Sequence, residues 1–352
     1  MTEMSAHLSE DEKQAASQSL DKQIQRIGIV GAGAWGTALA CVAARADLDT
    51  KIWARETEVV ESINHTHENK IFLPDVALPE NILATPHLAD MADRDAILMV
   101  APAQHLGVVL AELEPHLKAD TAIALCAKGV ERDSLRFMSE VAADHLAPNR
   151  IAVLSGPSFA IDVAKGLPTA ITLASHDPQF GERLAAALSQ PTFRAYPSDD
   201  VIGAEIGGAI KNVLAIACGI VQGKKLGDSA RAALTARGFA EMTRLGDALG
   251  ARRETLAGLS GLGDLILTCS SPTSRNFSLG IALGEGQKAE DILAARNSVS
   301  EGALSAQAVQ KLSQKHDVDM PICLAIADII DGRLDVDAAI VQLLARPVIT
   351  EG

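Results

Sequence analysis

Short apolar runs alternate with stretches of helical spacing over the first half of the chain. Ile27–Val30, Thr50–Trp53, Ala96–Val100, Ala122–Leu125 and Ile151–Leu154 are apolar runs bounded by polar or glycine-rich segments, the pattern of buried strands. Thr37–Arg45 carries helical spacing between the first two, and further helical segments separate some of the others. Strands that alternate with helices imply βαβ units and a parallel sheet. Ala170–Leu173 and Phe193–Tyr196 are expected to add strands at the edge of that sheet. After Pro197-Ser198 the spacing becomes helical, with almost no strand pattern. Pro321 is placed to open a helix there and Gly332 to close one. The pattern therefore predicts an α/β unit over residues 24–198 and an all-α unit over residues 199–352. Residues 1–23 are polar, rich in Ser, Gln and charge, and are expected to form a flexible tail.

Composition narrows the function. Of 352 residues, 48% are hydrophobic and 22% charged, enough apolar matter for a sizeable core in two domains. Aromatics are only 3%, so that core must be built from Ala, Leu, Ile and Val. A net charge of −14 argues against a nucleic-acid partner, which needs a basic stripe. An anionic ligand would have to meet positive charge gathered locally. Cys41, Cys126, Cys218, Cys269 and Cys323 are scattered, odd in number and form no CxxC, which suits reduced thiols in the cytoplasm and no metal site. No apolar segment follows a basic start, so no signal peptide is expected. No uncharged apolar run approaches the ~18–20 residues that span a bilayer, so no stable membrane insertion is expected.

Against that acidic background, Gly31-Ala-Gly33-Ala-Trp-Gly36 follows the first strand and opens a helix. This is the dinucleotide fingerprint of a Rossmann-type domain in its required context. Gly31 permits the tight turn, Gly33 lets a pyrophosphate approach the backbone, and Gly36 lets the helix pack on the strand. The helix N-terminus supplies N–H groups and partial positive charge for the phosphates. The second strand ends Trp53-Ala54-Arg55-Glu56, without the acidic residue that would bind a ribose hydroxyl there. Arg55 stands instead where a 2′-phosphate would be contacted. A guanidinium grips phosphate bidentately or stacks on adenine, so NADPH is favoured and NAD stays open.

Glu205-Ile-Gly-Gly-Ala-Ile-Lys211-Asn212 and the apolar residues after it read as one helix with an amine in its middle. Ala204, Gly207, Gly208, Ala215 and Cys218 share the face of Lys211 and are all small. That face would admit another chain segment, or a ligand, close to the backbone. Taken alone, the segment is better described by a lysine whose stem lies on the helix while its head reaches water. Other anion-binding groups gather elsewhere. Lys128, in Ala127-Lys128-Gly129, lies at the carboxyl end of a strand, the ligand side of an open α/β sheet. Ser155-Gly156-Pro157-Ser158 also follows a strand. Gly263-Asp264 and Ser274-Arg275-Asn276 stand near helix starts, with Arg275 and Asn276 expected to precede a helix from Phe277 to Leu283. Asp264 and Ser274 have a plainer use as N-caps.

These segments together resemble NAD(P)-dependent glycerol-3-phosphate dehydrogenases of the bacterial type. The likeness rests on GAGAWGTALA at 31–40, AKGVE at 127–131, SGPSFA at 155–160, IKNVLAIACG at 210–219, GLSGLGDLILTCSSPTSRN at 258–276 and SEGA at 300–303. The resemblance implies a Rossmann domain followed by a helical domain like that of 6-phosphogluconate dehydrogenase. It implies reversible hydride transfer between NAD(P)H and dihydroxyacetone phosphate, giving sn-glycerol 3-phosphate for glycerophospholipid synthesis, in a homodimer. By the family pattern Lys211 donates and accepts the proton. Lys128, Gly156, Ser158, Asp264, Ser274, Arg275 and Asn276 contact substrate. Ala34, Trp35, Arg55, Lys128, Ala160, Arg275, Val299 and Glu301 match cofactor contacts. Ala34 departs from the Ser or Thr common in relatives, which removes a hydroxyl but keeps the backbone N–H. The small residues beside Lys211 would then leave room for a three-carbon substrate. From the residues alone, a hydroxyacid dehydrogenase of the same shape and a nucleotide-sensing protein without turnover remain alternatives.

Overall fold

In the computed structural model, which describes residues 23–295 and 300–347, the apolar runs form strands. The tail expected at 1–23 lies outside the described residues up to residue 22. The strands are β1 (Arg26–Val30), β2 (Asp49–Trp53), β3 (Glu68–Asn69), β4 (Leu73–Ala77), β5 (Ile82–Thr85), β6 (Ala96–Met99), β7 (Ala122–Leu125), β8 (Ile151–Ser155), β9 (Thr169–Ser175) and β10 (Phe193–Ser198). Eight of them make one sheet in the order β10-β9-β8-β7-β6-β1-β2-β5, and β3 with β4 makes a separate hairpin. Ile27, Ile29, Leu98 and Leu125 are fully buried because helices cover both faces of the sheet, which is why these strands read as unbroken apolar runs.

One junction departs from the expected parallel sheet. β9 runs antiparallel to β8, and β10 runs parallel to β9, so the last two strands oppose the other six. The link between β8 and β9 holds only the one-turn helix Ala160–Ala164, short for the crossover that parallel neighbours require. The short strands β3, β4 and β5 carried no apolar run long enough to announce them.

The sheet's outer edges are both occupied by the chain itself. On β5, Ala84 N donates to Asn64 Oδ1 (2.8 Å), Asn64 Nδ2 donates to Ala84 O (2.9 Å), and Ile82 N donates to Pro79 O (3.2 Å). On β10, Phe193 exchanges backbone bonds with Gln190, and Ala195 N donates to Ser189 Oγ (3.1 Å). The next outward position is Pro197, which has no N–H.

From Val201 onward the described residues are helical. The helix Val201–Gly223 is buried almost along its length, because it is the axis around which the others pack. It is the one helix among the described residues long and apolar enough to cross a membrane, and 94% of its apolar window is buried inside the protein. Helix Arg275–Gly284 crosses it in near backbone contact. A Cβ on Gly219 would fall 2.1 Å from Phe277 O, and one on Gly280 would fall 2.0 Å from Ile216 O.

The same central helix is tied to the sheet domain by Glu205. Its carboxylate accepts from Ser139 N (2.8 Å) and Ser139 Oγ (2.6 Å), both in or beside the helix Met138–Ala142. Burial pushes the Glu205 carboxyl up to about 7, against the opposing pull of the Ser139 bonds. The folded chain therefore holds a proton that the unfolded chain releases near 4.5. That contribution to stability is present below the unfolded value and is lost as pH rises through about 7, at ~1.4 kcal/mol per unit. Glu205→Gln should flatten the dependence of the unfolding temperature on pH between the two values. An unchanged slope would remove Glu205 as its source.

Candidate functional site

The first site element is the turn after β1. Gly31 has φ +114°, a region closed to most side chains, and a Cβ on Gly36 would fall 1.8 Å from Gly31 O. A Cβ on Gly33 would meet nothing within 4 Å, so that side of the turn is open. Gly33 is the N-cap of helix Ala34–Arg45, and no side chain caps it. The N–H groups of the first turn are thus left for an anion. Ala34 and Trp35 begin the helix, and Trp35 Nε1 is buried without a partner. Arg55 follows β2 with its side chain 85% exposed, loosely beside Glu56 at 4.0 Å.

The second element lies at the carboxyl ends of β7 and β8, facing the helical domain. Asp264, buried to 1% exposure, is the first residue of helix Asp264–Ser270 and its carboxylate bridges two amines. Lys211 Nζ donates to Asp264 Oδ1 (2.7 Å) and to Thr268 Oγ1 (3.1 Å). Lys128 Nζ donates to Asp264 Oδ2 (2.7 Å) and to Gly156 O (3.0 Å). Asp264 therefore is no N-cap; its carboxylate serves the lysines. Each ammonium has three donors, and these contacts take two of them.

Electrostatics follow from this packing. Burial lowers the Lys211 amine to about 8; the Asp264 charge opposes that fall and the Lys128 charge adds to it. Burial would raise the Asp264 carboxyl, but the charges of Lys128 and Lys211 and their hydrogen bonds hold it below the usual carboxylate value. One carboxylate shared by Lys128 and Lys211 leaves this cluster locally positive in a chain of net charge −14.

The remaining expected residues divide. Ser158 Oγ donates to Gly156 O (3.0 Å), so Gly156 O takes both Ser158 and Lys128. Ala160 starts the helix Ala160–Ala164 beside them. Ser274 is an N-cap, its Oγ accepting from Phe277 N (3.2 Å), and the helix it caps begins at Arg275. Arg275 and Asn276 thus belong to the helix rather than preceding it. Asn276 donates from Nδ2 to Asn212 Oδ1 (2.9 Å) and accepts at Oδ1 from Gly302 N (3.1 Å). Its amide is largely committed to joining three segments. Val299 lies outside the described residues.

At Gly207 the small face beside Lys211 is occupied by a chain segment. A Cβ on Gly207 would fall 2.3 Å from Ser260 O, so this glycine seats the Leu259–Gly263 segment rather than a ligand. Gly208 faces Lys128 Cγ and Ser155 Oγ, each 3.2 Å from a Cβ built there.

Sequence reading overlooked Thr268 and Asn212. Thr268 stands four residues after Asp264, on the same helix face, and donates to Asp264 Oδ1 (3.2 Å). Asn212 follows Lys211 and donates from Nδ2 to Lys128 O (3.5 Å). Also unforeseen are buried polar atoms without partners at Ser155 Oγ, Ser300 Oγ, Glu301 Oε2 and Ser305 Oγ. Ser305 Oγ and Glu301 Oε2 lie 3.1 and 3.6 Å from a Cβ built on Gly129. Burial raises the Glu301 carboxyl, and the charge of Arg275 works against it. Orphaned donors and acceptors beside Gly129, with an open uncapped glycine turn, fit a polar dinucleotide.

The chain is similar to known proteins over most of its length. Residues 26–181 match the family model described as NAD-dependent glycerol-3-phosphate dehydrogenase N-terminus, and residues 200–341 match its C-terminus. The chain is 58% identical to a glycerol-3-phosphate dehydrogenase [NAD(P)+] of Parvibaculum lavamentivorans over 93% of this chain and 98% of the relative. Identity to the protein of that name from Caulobacter vibrioides is also 58%, over 92% and 98%. The crystal structure of glycerol-3-phosphate dehydrogenase from Coxiella burnetii superposes with a TM-score of 0.88 at 41% identity, over 92% of this chain and 99% of that one.

Proposed function

The chain belongs to the NAD-dependent glycerol-3-phosphate dehydrogenase family and is an NAD(P)-dependent oxidoreductase, and from that premise we propose how its residues divide the work. The observation that carries the reading is Asp264 bridging Lys211 and Lys128 at the ligand end of the sheet. The turn Gly31–Gly36, with the N–H groups of Ala34 and Trp35, would hold the cofactor's pyrophosphate. Arg55 would take the 2′-phosphate of NADPH. Ala160, Lys128, Arg275 and Glu301 would contact the rest of it. When bound, this cofactor supplies the hydride.

Lys211 holds the proton. In the reducing direction its ammonium faces the C2 oxygen of dihydroxyacetone phosphate, stabilises the charge that grows there and gives up the proton. In the oxidising direction the neutral amine takes the proton back. A value of about 8 leaves both forms accessible near neutrality. Asp264 and Thr268 orient the amine, while Lys128, Ser158 and the Gly156 backbone hold the substrate. Arg275 receives the phosphate at the N-terminus of helix Arg275–Gly284, with Ser274 setting the cap. Asn276 contributes by fixing Asn212 beside Lys211. Binding of the unreactive phosphate positions C2.

By this reading residues 24–198 bind cofactor and residues 199–352 carry the catalytic amine. The product feeds glycerophospholipid synthesis in the cytoplasm, and the working form is a homodimer. Loss of reduced-nicotinamide absorbance with dihydroxyacetone phosphate and NADPH tests the activity. Dihydroxyacetone without phosphate should react with kcat/KM roughly 10²-fold lower. Equal turnover would remove the phosphate site from Arg275. Arg55→Asp should raise KM for NADPH about tenfold or more while changing KM for NADH less. Equal loss for both cofactors would sink the 2′-phosphate role.

A further inference from the structure

We infer that Asn69, on the β3–β4 hairpin, is a positioning residue that sets the peptide orientation of the cofactor-binding turn. Asn69 is 1% exposed and uses its whole amide. Nδ2 donates to Ala32 O (2.8 Å) and to Thr37 Oγ1 (2.8 Å), and Oδ1 accepts from Phe72 N (3.1 Å). Thr37 Oγ1 in turn donates to Ala32 O (3.3 Å). The Ala32 carbonyl is therefore held from two sides by groups beyond its own strand and turn.

The same peptide group carries Gly33 N–H. No described peptide bond is cis. In a trans peptide the carbonyl of one residue and the N–H of the next point in opposite directions. Pinning Ala32 O towards Asn69 aims Gly33 N–H the other way. That is the side on which a Cβ at Gly33 would meet nothing within 4 Å. Neither Gly31 nor Gly33 has a side chain to hold this plane, and glycine explores more backbone states than other residues. The restraint thus comes from the hairpin, across 37 residues of sequence. Asn69 touches no reacting atom. Its effect is on how well the turn is prepared for a pyrophosphate.

This rests on the assignment of the Gly31–Gly36 turn to the cofactor, and the test separates the two ideas. NADPH binding by fluorescence, steady-state kinetics and melting are measured on the full chain carrying Asn69→Ala, Thr37→Val or Gly33→Val. Asn69→Ala should raise Kd and KM for NADPH about tenfold or more. Its kcat at saturating NADPH and its KM for dihydroxyacetone phosphate should stay near wild type. Thr37→Val should move in the same direction by less, and it decides the matter if Asn69→Ala does not fold. A lowered melting temperature with unchanged Kd for NADPH would overturn the inference and leave Asn69 a hairpin anchor. A fall in kcat without change in KM for NADPH would overturn it too. Gly33→Val places bulk on the open side of the turn and should weaken NADPH whatever Asn69 does. If Gly33→Val binds normally, the turn assignment itself fails; if only Gly33→Val is weakened, Asn69 alone is wrong.

Discussion

Lys211→Ala is expected to lower kcat by roughly 10²–10⁴ while leaving cofactor affinity nearly unchanged. The two effects separate because the proposed pyrophosphate site, Gly31–Gly36, and the amine lie on different domains. The variant removes the donor to Asp264 Oδ1 and Thr268 Oγ1 but leaves Asp264 paired with Lys128 at 2.7 Å. No carboxylate is stranded, so the loss should be of proton transfer more than of folding. The wild-type pH profile supplies a second reading. With the amine at about 8, kcat/KM for oxidation should rise through that pH, and kcat/KM for reduction should fall. Both limbs should vanish in Lys211→Ala. Near-normal turnover in the variant would remove Lys211 from the mechanism.

Asp264→Asn should do damage of a different kind. Its carboxylate is the counter-charge of both ammonium groups, and it is buried to 1% exposure. Taking away one member of a buried ion cluster costs ~3–5 kcal/mol, since uncompensated charge stays behind. The chain has a relief, which is to shed a proton from Lys211. The amine, already lowered to about 8 by burial, should fall further once the opposing Asp264 charge is gone. The alkaline limit of the reduction then moves to lower pH, and less of the enzyme holds the proton at neutrality. Urea unfolding and the pH dependence of kcat/KM measure the two effects. A variant with unchanged stability and an unmoved profile would show that Asp264 does not hold the lysines in check.

Much of this site could be read as a roster and little of it as a map. The glycine turn was legible because its three residues lie within six positions and depend on local backbone geometry. Lys128 and Asp264 were legible as polar residues at element ends. Their meeting was not, since 136 residues separate them and only the packing of the helical domain on the sheet joins them. Roles such as proton transfer by Lys211 came from the family resemblance. Asn276 was legible as an amide after Ser-Arg, but its bonds to Asn212 and Gly302 were not, since they join segments far apart in the chain. The small residues beside Lys211 left two readings open. A glycine face signals close approach without saying whether a ligand or the Ser260 carbonyl approaches. In the sheet, strand positions followed from apolar runs. The reversal at β9 did not, because strand direction depends on what the connecting segment can reach.

The occupied sheet edges bear on how two copies of this chain can meet. An unprotected edge strand offers free N–H and C=O groups to any other extended chain, including an identical one or a partly unfolded one. Here Asn64 imitates a neighbouring strand against Ala84, and Ser189, Gln190 and Pro197 close the far side. These contacts work against joining two copies edge to edge as a continuous sixteen-strand sheet. The same contacts leave fewer free edge groups to template strand-to-strand association.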